Sequence, residues 1–176
     1  MNVWRVCGEC AIVKAMKVYL VRHGQYVFDY AGASGPSLSA YGWEQARGAG
    51  RFLCGLGARP GAVWVSPYVR SQETARGIAE VLGAAVEGVA QEVFRELLPE
   101  GAPEEMRIIL EARAEADPAG EVLVVGHMGS IGRLARLLDP LAPWAFGLCT
   151  VAVFEWRGEA RWELLMVKDC GCEAEA

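Results

Sequence analysis

The sequence contains no apolar run that is long enough to cross a membrane. Its apolar stretches, such as residues 122–125, have the length of buried strands, whereas a spanning helix needs about 20 apolar residues. Residues 1–15 do not resemble a signal peptide, because Arg5 and Lys14 are their only basic residues and polar residues interrupt their apolar stretch. These absences predict a cytoplasmic protein without a membrane partner.

The sequence also lacks an excess of basic residues: 17 lysines and arginines stand against 22 acidic residues, and the formal net charge is −5 at pH 7. A broad nucleic-acid surface needs an excess of lysine and arginine to neutralise phosphates. We therefore expect no nucleic-acid partner. A small anion pocket remains compatible with this total, because the local placement of a few arginines determines whether such a pocket forms.

The six cysteines give no clear signature of a metal or redox site. Cys54 and Cys149 lie inside apolar segments and are predicted to be buried thiols. A CxxC pair at residues 7–10 and a CxC pair at residues 170–172 could bind zinc, and the CxxC pair alone could be redox-active. However, CxC is an unusual zinc spacing and no thioredoxin-like context surrounds the CxxC pair. We expect reduced thiols near the chain ends, with neither a metal nor a cofactor.

What the sequence does contain is an alternation of strand and helix patterns. Of its 176 residues, 53% are hydrophobic, which is enough for one domain with a substantial core. Short apolar runs predict strands at residues 17–21, 62–65, 121–125, 150–156 and 162–167. Apolar residues at helical spacing predict helices within residues 39–57, 75–82, 106–114 and 131–138.

This alternation predicts the fold class. Strands that are apolar throughout are buried on both faces, so helices must cover both sides of a mostly parallel sheet. We predict an α/β protein with a single three-layer domain at residues 16–168. Residues 1–15 are interpreted as an N-terminal extension and residues 169–176 as a C-terminal tail.

Arginine and histidine, which can donate hydrogen bonds to anions, follow three of the predicted strands. Arg22 and His23 follow the first strand, a segment from Ser66 to Arg70 follows the second, and His127 follows the third. Ligands of open α/β sheets bind beyond the carboxyl ends of the strands. Two arginines, the only two histidines of the chain and the N–H groups of helix N-termini therefore predict an anion pocket at this edge.

Other interpretations of these residues remain open. A single histidine after a strand is more often a hydrogen-bonded structural residue than a catalyst. The combination of two histidines and two arginines at three strand ends is what favours a catalytic site. Two histidines could also bind a metal, but no Asp, Glu or Cys accompanies them and neighbouring arginines would repel a cation. A non-catalytic module that binds phosphorylated partners is a further alternative, although it would not need a nucleophile.

Four blocks carry a more specific signal: LVRHGQ at residues 20–25, PSLSAYGWEQA at 36–46, SPYVRSQETA at 66–75 and VVGHMGSIG at 124–132. In this order they resemble the histidine phosphatase superfamily, which is also called the phosphoglycerate-mutase-like or RHG family. The resemblance covers most of the chain from Met16 to about Trp156. It implies a phosphoglycerate-mutase-like fold and a hydrolase that needs no metal.

The resemblance also implies roles for the strand-end residues. His23 would be the nucleophile that takes up the phosphoryl group. Arg22 and Arg70 would hold the phosphoryl oxygens with their planar donors. His127 would donate a hydrogen bond to an equatorial oxygen and, when charged, would stabilise the transition state.

A second set of positions is assigned less directly. Glu96 lies in the region where the wider family carries the acid that protonates the leaving oxygen. Gly24, Gln25 and Met128 lie in the motif blocks and are expected to bind substrate. Gln25 stands where an acidic residue is frequent in the family, and Met128 stands where a related group often carries proline.

That related group consists of the short SixA-type phosphohistidine phosphatases. The segment Arg95–Gly101 resembles their Glu-Leu-x-Pro-x-Gly element, and only 56 residues separate Arg70 from His127, which leaves little room for a cap. The resemblance implies a protein phosphohistidine phosphatase, a monomer or weak homodimer whose partner is a phosphorylated protein. The alternative is a phosphatase for small sugar, nucleotide or cofactor-intermediate phosphates.

Overall fold

The computed structural model describes residues 15–28 and 35–171. The predicted CxxC pair at residues 7–10 and Cys172 lie outside the described residues. The strands are β1 (Lys17–Arg22), β2 (Ala62–Val65), β3 (Gln91–Val93), β4 (Glu121–Gly126), β5 (Thr150–Trp156) and β6 (Trp162–Asp169). The helices are α1 (Ala40–Gly55), α2 (Val69–Leu82), α3 (Pro103–Ala116) and α4 (Met128–Leu138). None of the helices in the described part of the chain is both long and apolar enough to cross a membrane.

The six strands form one mixed sheet in the order β3-β2-β4-β1-β5-β6. Strands β3, β2, β4 and β1 run parallel to one another, whereas β5 pairs antiparallel with β1 and β6 pairs antiparallel with β5. The sheet is therefore mostly parallel, as predicted. Because β1, β2 and β4 are adjacent and parallel, their carboxyl ends meet at one edge.

Side chains of the central strands alternate between two cores. On β1, Val18 and Leu20 join the core that contains α3 and α4, whereas Tyr19 and Val21 join the core that contains α1 and α2. The same alternation on β4 sends Val124 to the first core and Val125 to the second. Burial on both faces explains why polar and apolar residues do not alternate along these strands. It also confirms the predicted single three-layer domain.

Two details of the fold differ from the sequence predictions. Strand β3 was not predicted, because its three residues are all exposed and carry no apolar pattern, and pairing with β2 alone defines it. Cys54 is exposed near the end of α1, so its prediction as a buried thiol is wrong: its neighbour Leu53 takes the inward face of the helix instead. Cys149 is buried as predicted.

Helices α1 and α2 approach each other closely at glycine positions. A Cβ atom on Gly50 would lie 2.8 Å from the Val81 Cβ and 2.9 Å from the Ile78 carbonyl oxygen. A Cβ atom on Gly77 would lie 2.7 Å from the Ala46 Cβ. The contact matters for the site, because α2 begins at the edge where β2 ends and carries Arg70 in its first turn.

A pair of alanine substitutions on α1 tests this contact. Gly50→Ala should lower the free energy of unfolding by about 1–3 kcal/mol, because the new methyl group meets backbone that cannot easily move. Gly55→Ala is the matched control, since no atom lies within 4 Å of its Cβ position; alanine there should raise stability by up to about 1 kcal/mol. Urea unfolding measures both. Equal effects of the two substitutions would show that the helices are not packed as described.

Candidate active site

The two histidines lie side by side at the carboxyl ends of β1 and β4. Arg22 of β1 pairs with Gly126 of β4, and the His23 N–H donates to the Gly126 carbonyl at 3.0 Å, so each histidine is the first residue after its strand. Their ring centroids are 4.9 Å apart. His23 is 4% exposed and His127 is 2% exposed. Parallel pairing therefore brings together residues that are about a hundred positions apart in the sequence.

A hydrogen bond to the backbone fixes the tautomer of His23. Its Nδ1 lies 2.8 Å from the Gly24 carbonyl oxygen, which can only accept, so Nδ1 carries the proton and Nε2 carries a lone pair. The Nε–H of Arg70 donates toward that Nε2 at 3.3 Å. His23 Nε2 is thus unprotonated, as a nucleophile requires, and its lone pair accepts from Arg70 in this structure.

The tautomer of His127 follows from the same reasoning. The Arg70 Nη2 lies 3.3 Å from His127 Nδ1, and a guanidinium group can only donate, so Nδ1 is the acceptor. The proton is therefore on Nε2, which donates to the Ser66 hydroxyl at 2.8 Å. Ser71 places a second hydroxyl 3.4 Å from the same nitrogen.

Both histidines are held in the neutral form. Burial lowers the pKa of His23 to about 4; the hydrogen bond to Gly24 opposes this effect, and the charges of Arg70 and Arg22 add to it. Burial also lowers the pKa of His127 to about 2, with further contributions from His23 and the two arginines. At neutral pH neither ring carries a charge, so the positive charge in their neighbourhood comes from guanidinium groups.

Arg22 is anchored from the loop that precedes β5. Its Nη1 donates to the Phe146 carbonyl oxygen at 2.7 Å. Its Nε is buried and has no hydrogen-bond partner among the described residues. Burial lowers the pKa of Arg22, but an arginine remains charged at neutral pH. The anchored group therefore retains a donor for an oxyanion.

Arg70 lies between the two histidines and against two tyrosine rings. Its guanidinium carbon is 4.9 Å from the ring centroid of Tyr26 and 4.6 Å from that of Tyr68. The residue comes from the first turn of α2, so it reaches the site from a third element of the fold. Because its donors point at both histidines, it covers the lone pair of His23.

The loop after β1 is tied to the two helices of the second core. The Gly24 N–H donates to the Thr74 hydroxyl at 3.0 Å, and that hydroxyl donates to the Arg70 carbonyl oxygen at 2.7 Å. A Cβ atom on Gly24 would lie only 2.8 Å from the Gly42 carbonyl oxygen of α1. The glycine is therefore required for this close approach, and it supplies the acceptor that orients His23.

Three further predicted site residues, Gln25, Met128 and Glu96, make no side-chain hydrogen bond to the two histidines among the described residues. The exposed Gln25 accepts through its Oε1 from the Ser39 hydroxyl at 2.8 Å, which engages its side chain at the start of α1. The Met128 sulfur accepts from the Phe146 N–H at 3.2 Å and so supports the loop that anchors Arg22. Glu96 is half-buried in the short turn at Arg95–Leu97 and makes no hydrogen bond or ion pair within the described residues.

The turn that carries Glu96 nevertheless lies at the catalytic edge. It follows β3, which runs parallel to β2, and the Leu97 carbonyl oxygen accepts from the Ser130 hydroxyl of α4 at 2.9 Å. A Cβ atom on Gly129 would lie 2.4 Å from the Pro99 carbonyl oxygen, so this segment packs tightly on the start of α4. The structure thus holds the turn of Glu96 beside the start of α4, and it shows no hydrogen bond between Glu96 and either histidine.

Several residues that build the site had no sequence-based assignment. Ser66 and Tyr68 lie inside a recognised block, and their positions directly after β2 were the available signal. Tyr26 follows the RHG block by one residue. Phe146 acts through its backbone carbonyl, 124 positions from its partner Arg22, and no local pattern could reveal that contact.

The assembled groups are suited to a tetrahedral oxyanion. Two guanidinium groups supply planar, charged donors, and the imidazole Nε2 between them supplies a lone pair. No cluster of three or more possible metal ligands occurs in residues 15–28 and 35–171. The arrangement can bind a phosphoryl group and attack it with a ring nitrogen.

The sequence is similar to those of known phosphatases that the geometry of this site would suit. Residues 18–98 match the model of the histidine phosphatase superfamily (branch 1). The chain is 30% identical over 125 residues to phosphohistidine phosphatase SixA of Escherichia coli, covering 71% of this chain and 75% of that protein. It is 27% identical over 162 residues to the SixA homolog of Haemophilus influenzae, covering 86% and 94% of the two chains.

Solved structures share the fold. The protein histidine phosphatase SixA complexed with tungstate has a TM-score of 0.81 at 24% identity, over 88% of this chain and 97% of that one. A mycobacterial glucosyl-3-phosphoglycerate phosphatase has a TM-score of 0.67 at 18% identity, over 86% and 98% of the two chains. Together with the sequence matches, these similarities establish that the chain belongs to the histidine phosphatase superfamily.

Proposed function

We propose that this protein is a phosphatase that transfers a phosphoryl group to His23 Nε2 and then to water, and that its substrate is a phosphorylated histidine of a protein. The observation that carries the proposal is the orientation of His23. Its Nδ1–H donates to the Gly24 carbonyl, which leaves the lone pair on Nε2. This lone pair faces the Nε–H of Arg70. Pure binding of an anion would not require this orientation.

Substrate binding places the phosphoryl oxygens on Arg22 and Arg70. Among the described residues, the Nε–H of Arg22 has no partner, and the donors of Arg70 are engaged only by neutral histidine nitrogens. An anionic oxygen is a better acceptor than a neutral imidazole nitrogen. The guanidinium group of Arg70 therefore moves its hydrogen bonds to the phosphoryl group, which releases the lone pair of His23.

The first chemical step forms a bond between His23 Nε2 and phosphorus while the bond from phosphorus to the leaving atom breaks. In a phosphohistidine substrate the leaving nitrogen belongs to an imidazole, which departs as a neutral group once its ring carries a proton. In the second step water attacks the phosphorylated His23, releases inorganic phosphate and gives its proton to solvent. The two guanidinium groups stabilise the equatorial oxygens in both steps.

His127 changes its charge during this cycle in our proposal. Its Nδ1 accepts from Arg70 in this structure, so Nδ1 can donate to a phosphoryl oxygen only after it gains a proton. Without a bound anion, burial and the neighbouring positive charges lower the pKa of His127. A dianion beside the ring stabilises the protonated form and therefore raises this pKa. Proton uptake on binding converts a neutral imidazole into the charged donor that the transition state needs.

Two observations support a protein substrate. The 83–102 segment between α2 and α3 holds only two short helical turns and β3, so it builds no helical cap over the sheet edge. The named SixA relatives are phosphohistidine phosphatases. A small phosphate ester is the second candidate, supported by Glu96 in the turn after β3 and by the fold shared with the glucosyl-3-phosphoglycerate phosphatase.

The covalent intermediate gives the most direct test. Brief incubation with a radiolabelled substrate should put an acid-labile, base-stable label on the wild-type protein. His23→Ala should carry no label and should lose turnover by about 10⁴-fold or more, in line with the loss of other catalytic nucleophiles. Tungstate binding to His23→Ala, measured in parallel, confirms that the variant is folded. A variant that keeps full turnover would refute the mechanism.

Proton uptake by His127 is tested with tungstate, a dianion at neutral pH. Calorimetry at pH 7.5 in buffers of different ionisation heat should show uptake of about one proton per tungstate bound, because the pKa of His127 rises from about 2 on binding. Since the bound form holds the extra proton, affinity should fall as pH rises between the pKa of the free protein and the higher pKa of the complex, and it should level off above the latter. His127→Gln should take up none. Uptake that persists in His127→Gln would place the proton on another group.

The choice of substrate is tested with Glu96→Gln and a matched Glu100→Gln control from the same segment. Phosphohistidine peptide should have a higher kcat/KM than any alkyl phosphate in the wild-type protein. Glu96→Gln should reduce alkyl phosphate turnover by about 10²-fold or more, as expected for a lost general acid, and should change phosphohistidine turnover little. If an alkyl phosphate is the best substrate by a hundredfold, the small-molecule candidate replaces this proposal.

A further inference from the structure

We propose that Tyr26 and Tyr68 are positioning residues that hold the guanidinium group of Arg70 by their ring faces, in the place that a carboxylate usually takes. We call this pair the aromatic clamp. The proposal deepens the function proposed above, because it explains how Arg70 is kept charged, oriented and able to move. It adds two residues to a mechanism that otherwise depends on histidine and arginine.

The geometry of the aromatic clamp is that of two cation–π contacts. The Arg70 guanidinium carbon lies 4.9 Å from the Tyr26 ring centroid and 4.6 Å from the Tyr68 centroid, inside the roughly 6 Å limit for such contacts. The two rings reach Arg70 from different elements, since Tyr26 lies in the loop after β1 and Tyr68 immediately precedes α2. The clamp therefore closes only in the folded domain.

Each ring of the clamp is also fixed against a histidine. Tyr26 packs edge-on against His23 with centroids 5.5 Å apart, and Tyr68 packs edge-on against His127 with centroids 5.1 Å apart. The backbone of Tyr26 is held by a bridge to Leu38. These contacts give the rings a defined place, so the position of Arg70 and the positions of both histidines depend on the same two side chains.

Other arginines of the described chain are held in a different way. Several have carboxylate partners: Arg47 with Glu44 and Glu80, Arg107 with Glu111, Arg113 with Asp117, and Arg157 with Glu155 and Glu163. Within residues 15–28 and 35–171, the structure gives Arg70 no carboxylate partner and only the two histidines as hydrogen-bond acceptors. The arginine that donates to His23 is thus held by aromatic rings, whereas these surface arginines are held by carboxylates.

This difference has a functional consequence. A carboxylate beside Arg70 would cancel the charge that binds the phosphoryl group and would compete with it for the planar donors. An aromatic face attracts the cation without using any N–H group, and its attraction is less directional than a hydrogen bond. Arg70 can therefore leave the lone pair of His23 and turn its donors to the phosphoryl oxygens while both rings still support it.

The test compares phenylalanine and leucine at each position of the clamp. Tyr26→Phe and Tyr68→Phe keep an aromatic face and should retain kcat/KM and tungstate affinity within about threefold. Tyr26→Leu and Tyr68→Leu remove the face and should each weaken tungstate binding by about 5- to 30-fold, with a parallel loss of kcat/KM. Tyr41→Leu is the matched control, because this partly exposed tyrosine lies on α1 and binds the Gly171 carbonyl instead.

A double-mutant cycle separates positioning from a general structural effect. In an Arg70→Ala background, the leucine substitutions should cause no further loss of tungstate affinity, because the group they position is gone. Three results would overturn the proposal: full additivity in that background, an equal loss in the phenylalanine and leucine variants, or wild-type affinity in the leucine variants. Tungstate binding does not require turnover, so absence of label on His23 would refute the phosphatase function separately.

Discussion

The hydrogen bond from His23 Nδ1 to the Gly24 carbonyl decides which nitrogen of the ring can react, and the rest of the site depends on it. That carbonyl is in place because Gly24 fits against the Gly42 carbonyl of α1 and its own N–H is held by Thr74 of α2. The orientation of the nucleophile is therefore a consequence of how two helices pack on the end of β1. Glycine contacts between those helices, remote from the chemistry, contribute to the same arrangement.

Burial and positive charge act together on this nucleophile. A charged His23 could not attack, and burial beside two guanidinium groups lowers its pKa to about 4, so Nε2 is unprotonated throughout the neutral range. The same positive field favours a dianionic phosphoryl group once it enters. Two like charges in a half-buried site destabilise the ligand-free fold, and the Phe146 carbonyl and the aromatic clamp offset part of that cost.

The sequence predicted the sheet, its helices and the meeting of His23, Arg70 and His127, because each of these features has a local pattern. Apolar strands and helical spacing identify the layers, and parallel pairing then fixes which residues share an edge. Strand β3 was not predicted because only its pairing with β2 defines it. The role of the Phe146 carbonyl was not predicted because every residue type has the same backbone carbonyl. Gln25 and Met128 illustrate a further limit: a motif does not show which intramolecular contacts a side chain makes, and these two make hydrogen bonds to neighbouring segments.

Discrimination between substrates must come from outside the group of histidines and arginines. In the proposed mechanism these residues contact the phosphoryl group, which is the same in a phosphohistidine and in a phosphate ester, so they would stabilise the transferring part of either substrate equally. In that mechanism the leaving group would meet the rim, by which we mean the loops after β1 and β2 and the turn after β3. One of these loops carries Tyr26 and the exposed Phe28 in ring contact, and the turn carries Glu96. Aromatic side chains favour a planar leaving group and a carboxyl favours one that needs a proton, so in our proposal these two parts of the rim select between the two candidate substrates.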